Sequence, residues 1–129
     1  ASAQEMNAFV DSLCSKRFKV CCDLGHAAIC KVEPHAFIKG MDAGRMTMIH
    51  AHDTDYKNDL HTLPWLGEQN WEAITDALAE IGFEGTMNME LCGYYPRFPD
   101  ELVPEALRMA AQTARWLAAK VDMKRGRQL

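Results

Sequence analysis

Apolar residues recur along this chain with two spacings. In "EMNAFVDSLCS" (5–15) Met6, Phe9, Val10 and Leu13 return every three or four positions, which predicts an amphipathic helix. "FKVCC" (18–22) is short, largely apolar and halted by Asp23 and Gly25, the pattern of a buried strand. Pro34 suits the first turn of a helix reaching about Met41, and "DAG" (42–44) closes it. "RMTMIHAH" (45–52) and "TMNMEL" (86–91) predict two further strands. Between them Asn70 can cap a helix "WEAITDALAEIG" whose Trp71, Ile74, Leu78 and Ile81 form one stripe and whose Gly82 is a stop. A last helix should begin near Pro104, since proline is tolerated in a first turn but not inside a helix, and should bury Leu107, Ala110, Ala114, Leu117 and Val121 on one side.

Helices thus alternate with strands whose runs are nearly all apolar. Strands of that kind are parallel and covered by helices, so the fold class is α/β. The stretch from Asp53 to Gln69 is too rich in Asp, Asn, Gly and Pro for regular structure and long for a plain connection, which marks it as a functional loop.

The polar residues fall at one end of the strands. Asp23 follows "FKVCC", His50 and His52 end "RMTMIHAH", and Glu90 ends "TMNME". In parallel α/β architectures the carboxyl ends of the strands are where ligands bind. His50 and His52, two apart on a strand, point the same way. A carboxylate such as Glu90, after four residues of apolar strand, needs a cation, a metal or a hydrogen-bond network, because burying it alone costs several kcal/mol. Asp59 and His61 add a carboxylate and an imidazole from the long loop. Mixed oxygen and nitrogen donors suit a divalent ion such as Mn²⁺, Mg²⁺, Co²⁺ or Zn²⁺.

Composition narrows the partners. The 129 residues are 48% hydrophobic and 25% charged, as in one globular domain, and the formal net charge of -4 gives no electrostatic reason to approach nucleic acid or an anionic membrane. No apolar run approaches the ~20 residues of a membrane span, and the amino terminus lacks the pattern of a secretion signal, so a cytoplasmic setting is expected. The only basic cluster, "KRGRQL" (124–129), reads as a solvated tail within 122–129. The five cysteines, Cys14, Cys21, Cys22, Cys30 and Cys92, are odd in number and include no CxxC pair; they should stay reduced, mostly as small buried apolar residues.

"FKVCCDLGHA" and "MIHAHDTDYKNDLHTLPWLGEQNWEAITDALAEIGFEGTMNMEL" resemble the carboxyl-terminal half of the xylose isomerase-like barrel superfamily, in particular its sugar phosphate isomerase/epimerase branch, from about Asn7 to Val121. The strongest part is the ordered combination HxHD, DxH, PxxGxxxW and a strand-ending Glu. The resemblance implies a single partial (βα)8 TIM barrel over 1–129, about strands six to eight with their helices. It implies that Asp23, His50 and Glu90, ending those strands, are metal ligands, that Glu90 also serves as an acid/base, and that His26 takes part in catalysis or joins a second metal. His52 and His61 would face the substrate. Asp59 and His61 match the DxH pair that completes a multinuclear metal site in the endonuclease IV-like branch, so Asp59 is a further metal ligand by resemblance. Trp65 departs from the family by standing where a turn glycine is common. A whole barrel has eight strands and ~250 residues, and the family's remaining metal-binding glutamate belongs to strand five, outside this sequence.

The implied activity is isomerisation or epimerisation of a small sugar or sugar phosphate by metal-assisted proton transfer beside a carbonyl, with no nucleic-acid or membrane partner. Self-association, or pairing with an amino-terminal half, is expected to cover the exposed sheet edges. The alternatives are a metal-dependent phosphodiesterase acting on abasic DNA and a non-catalytic metal-binding remnant.

Overall fold

The computed structural model describes residues 1–42 and 44–126. Three strands, β1 (Val20–Asp23), β2 (Met46–Ala51) and β3 (Thr86–Met89), form a parallel sheet in the order β1-β2-β3. The helices are α1 (Ala3–Ser12), α2 (Leu24–Ile29), α3 (Pro34–Gly40), α4 (Trp71–Glu80) and α5 (Val103–Lys124), with short 3-10 turns at Tyr95–Arg97 and Asp100–Leu102. The α/β expectation holds, as does the parallel sheet.

Local chemistry sets the helix ends. Ser2 and Glu5 form a reciprocal capping box on α1. Asn70 Oδ1 accepts from Ala73 N–H at 3.0 Å to open α4. Gly82 closes it at φ +65°, where Phe83 N–H donates to Leu78 O at 2.9 Å and satisfies a carbonyl the helix leaves open. The six-residue α2, absent from the sequence expectations, starts directly after β1 because Asp23 is its N-cap.

One face of the sheet is core. Val20, Cys22, Met46, Ile49 and Ala51 are buried against Leu24, Ile38, Trp71, Ile74, Leu78 and Leu117, and each large apolar side chain so covered contributes ~1.5–3 kcal/mol. Along the opposite face Cys21, Met48, Thr86 and Asn88 are exposed. Among the described residues β1 and β3 each have a strand neighbour on one side only. A smaller cluster of Leu63, Leu91, Tyr94, Ala106 and Ala110 ties the long loop to the start of α5.

Four of the sequence expectations differ from the structure. Phe9 is exposed: the capping box starts α1 at Ala3, the buried stripe runs through Ala3, Met6 and Val10, and Phe9 lies about a quarter turn away. Leu107 is 49% exposed while α5 buries Ala106, Ala110, Thr113, Leu117 and Val121, a stripe displaced by one residue at its start. All five cysteines are free, as expected, but only Cys22 is buried, since it alone points from a strand into the helix layer. At the carboxyl end, α5 extends through Lys124, which pairs with Glu72 at 2.8 Å and with Asp76, and Arg125 donates to Phe83 O at 2.8 Å. The expected tail therefore belongs to the helix and its cap as far as Gly126, and residues 127–129 lie outside the described residues. Among the described residues no helix is long and apolar enough to cross a membrane.

Candidate metal and substrate site

The parallel register sets Asp23 directly beside His50, and Glu90 follows β3 with its N–H donating to Ala51 O at 3.3 Å. Three strand ends thus bring Asp23, His50 and Glu90 to one rim, with one ligand atom of each within 4.8 Å of the others. Asp23 Oδ2 is 3.6 Å from His50 Nδ1, and Glu90 Oε2 is 3.2 Å from the same nitrogen.

Glu90 Oε2 also lies 3.5 Å from His61 Nδ1 and 4.0 Å from His52 Nε2, so three imidazoles converge on it. Yet this oxygen is buried and accepts no hydrogen bond. A buried carboxylate oxygen left unpaired is costly, and a ring of nitrogen and oxygen donors aimed at one another without bonding is the arrangement a divalent cation completes. The donor set of one imidazole and two carboxylates fits a hard or borderline divalent ion and needs no thiolate.

His52 is fully buried behind this rim. Its Nε2 is 2.9 Å from Asp23 Oδ1, and its ring stacks on His61 with centroids 3.9 Å apart and planes 10° apart. Gly25 makes room for that ring, because a Cβ there would lie 1.9 Å from His52 Cε1. Gln69 Nε2 donates to His52 O at 2.7 Å and fixes the backbone.

A second cluster adjoins the first. His61 Nε2 is 3.0 Å from Asp59 Oδ1, and His26 Nε2 is 3.3 Å from Asp59 Oδ2. One ligand atom each of His26, Asp59 and His61 falls within 4.8 Å of the others. His26 and Asp59 are about half exposed while His61 is nearly buried, so the cluster faces outward from the rim.

Electrostatics favour the charged forms of Asp23 and His26. Burial works against ionising Asp23, but bonds from His52 and from His26 N–H, with the charges of both rings, outweigh it and hold the carboxyl far below the usual range. Partial burial likewise works against the His26 cation, and Asp23, Asp59 and Glu90 outweigh it, raising that imidazole above its ordinary value. Cys22 is pushed up to about 12 by burial, then by the Asp23 and Cys21 charges, and is no thiolate ligand.

The structure therefore brings together all seven residues singled out in the sequence, with two differences of placement. His52, expected to face the substrate, is 0% exposed and bonds Asp23 instead, because the Gly25 cleft draws its ring beneath the rim. Asp59, expected among the ligands, groups with His26 and His61 rather than with Asp23, His50 and Glu90. Sequence reasoning missed Asp53. This carboxylate is fully buried and accepts Trp65 N–H and Trp71 Nε1–H on Oδ2, both at 2.8 Å, and Thr54 N–H at 2.8 Å and Gln69 N–H at 3.1 Å on Oδ1. The available signal was Trp71, an apolar-stripe tryptophan whose indole N–H needs an acceptor once buried. The same bonds hold the loop in place, and it has no helix or named strand, as the sequence predicts. Trp65 keeps the turn a glycine would make, at φ +71°, a conformation that costs an L-residue about 1–2 kcal/mol. Its ring rests 5.4 Å from that of Trp116.

A parallel α/β sheet with carboxylates and imidazoles gathered at its strand ends is the arrangement found in part of a barrel of the TIM class. The family model for xylose isomerase-like TIM barrels matches residues 1–120, and the chain belongs to that family. A crystal structure of a D-tagatose 3-epimerase-like protein superposes with a TM-score of 0.61 at 22% identity, covering 83% of this chain and 38% of that one. An uncharacterised protein, y4fM, of Sinorhizobium fredii is 33% identical over 72 residues, which is 55% of this chain and 22% of that protein. The chain thus spans well under half the length of the proteins it matches.

Proposed function

We propose that this chain carries the strand-end portion of a divalent-metal-dependent isomerase or epimerase site for a small sugar or sugar phosphate. The observation that supports this most is Glu90 Oε2, buried, without a hydrogen bond and surrounded by three imidazoles. Asp23, His50 and Glu90 would hold the ion, one of Mn²⁺, Mg²⁺, Co²⁺ or Zn²⁺. Bound there, it would polarise a substrate carbonyl and acidify the neighbouring C–H.

The chain's own residues do the rest. Glu90, half-buried at the rim, is the group to accept the carbon-bound proton. Asp23, kept ionised by His52, is a fixed negative charge that does not compete for it. His26, half exposed and disposed toward the cation, can donate to a substrate oxygen. Returning the proton on the opposite face takes a second acid, which we assign to the strands that complete the barrel over the bare sheet face, in the same polypeptide or an associated one.

The test is isotope exchange. With Mn²⁺ and a panel of ketoses and their phosphates in D₂O, the protein should place deuterium on the carbon beside the carbonyl, and Glu90→Gln should stop it while leaving the fold intact. Exchange no faster than with Mn²⁺ alone across the panel rejects the reading.

The His26, Asp59 and His61 cluster favours a second reading, a metal-dependent phosphodiesterase, because two adjacent ions can clamp both oxygens of a displacement at phosphorus. The acidic balance of the chain weighs against a DNA substrate. Incision of an abasic duplex without sugar exchange would select this reading.

A further inference from the structure

We propose that Asp53, which belongs to none of the ligand groups, is the positioning residue on which the His26, Asp59 and His61 cluster depends. The inference rests on reading that cluster as a divalent-ion site.

Asp59 and His61 sit in a loop with little regular structure, and Asp53 is its clasp. The Asp53 backbone exchanges two hydrogen bonds with Thr62, at 2.8 and 3.3 Å, which brings the chain back on itself one residue after His61. Its carboxylate gathers N–H groups from the loop's start (Thr54), its far side (Trp65), its end (Gln69) and the first residue of α4 (Trp71). All of this happens at 0% exposure. A Cβ on Gly67 would lie 2.4 Å from Asp53 Oδ1, so the loop is closed down onto the carboxylate.

The loop also needs holding. Tyr56, His61 and Trp65 are non-glycine residues at φ +61°, +42° and +71°, a backbone region that persists only where surrounding contacts enforce it. His61 is itself a member of the cluster, so its ring direction depends on that enforced backbone. On the far side Gly93 N–H donates to His61 O at 3.2 Å, and a Cβ on Gly93 would strike Leu60 O at 1.9 Å, so the loop is pressed between two supports. Asp23, His50 and Glu90 are set by the sheet register and meet the loop through His61, whose Nδ1 lies 3.5 Å from Glu90 Oε2, so they lean on this clasp less than the loop cluster does. Loss of Asp53 should therefore act mainly on the loop cluster.

Asp53→Asn keeps the size and one acceptor oxygen but turns the other into an NH₂ group, so two buried N–H donors lose their acceptor. In the metal-free protein, hydrogen exchange at the pair that loses its acceptor, Trp65 N–H with the Trp71 indole or Thr54 N–H with Gln69 N–H, should quicken roughly tenfold or more. In calorimetric Zn²⁺ titration, the wild-type protein should take up two ions per chain. The variant should lose affinity for one of them by roughly tenfold or more, with the other little changed. Should Asp53→Asn fail to fold, Trp71→Phe removes a single donor and leaves the carboxylate; a smaller loss at the same one ion is expected. Two ions bound as in the wild type, or an equal loss at both, overturns the proposal in either variant. A wild-type protein that takes up no second Zn²⁺ overturns it together with the ion reading of the cluster, and the metal-free exchange data then report separately whether the clasp exists.

Discussion

Gly25 and His52 share one space: the hydrogen on the glycine Cα is all that separates the backbone of α2 from the histidine ring, since a Cβ would lie 1.9 Å from His52 Cε1. Gly25→Ala should push the ring away, break its bond to Asp23, and lower stability by about 1–3 kcal/mol as an overpacked core does. Because His52 orients a proposed ligand, divalent-ion affinity should fall about 10–100-fold as well. Thermal unfolding and a metal titration on the same variant read both effects.

The cysteines give a prediction free of any metal. Cys14, Cys21, Cys30 and Cys92 are exposed while Cys22 is buried with its thiol pushed up to about 12. A thiol reagent at pH 8 should therefore modify Cys14, Cys30 and Cys92 quickly, Cys21 more slowly because partial burial and the Asp23 and Glu90 charges raise its thiol, and Cys22 only on unfolding, with Cys22→Ala abolishing that last phase.

Gly82 is a test of backbone alone. It ends α4 at φ +65°, and a Cβ there would meet nothing within 4 Å. Gly82→Ala should cost about 1 kcal/mol through the left-handed conformation only, measured by denaturant unfolding, and leave metal affinity unchanged.

Asp23 sets an acid limit on the metal-free fold. A carboxyl held below its unfolded value contributes stability that is complete above the unfolded pKa of about 3.9 and is lost as pH falls toward the folded one. Stability should decline on acidification below about pH 5, and Asp23→Asn should flatten that decline while lowering the plateau.

Much of this was legible in the order of residue types. Strand β2 and helix α4 announce themselves by apolar spacing, Asn70 and Gly82 by capping chemistry, and the ligand residues by standing where apolar runs stop. What stayed hidden depends on contacts across the chain. Nothing local to His52 says that its ring turns inward, since that follows from the missing side chain of Gly25 on a neighbouring element. Asp53 looked like one more acid in a polar loop because its donors come from up to eighteen positions away. Leu107 was misplaced because a stripe of alanines beside it fits the helix period equally well, and the choice is made by packing.

The central claim, that Asp23, His50 and Glu90 form a divalent-ion site, is tested most directly by Co²⁺ absorption spectroscopy on the protein freed of metal. The account predicts saturable visible bands from nitrogen and oxygen ligands, with the uptake of one Co²⁺ per chain lost in His50→Ala and in Glu90→Gln but that same ion kept in Asp59→Asn. Bands that are absent, or a Co²⁺ stoichiometry and band intensity left at the wild-type level in both His50→Ala and Glu90→Gln, would contradict it.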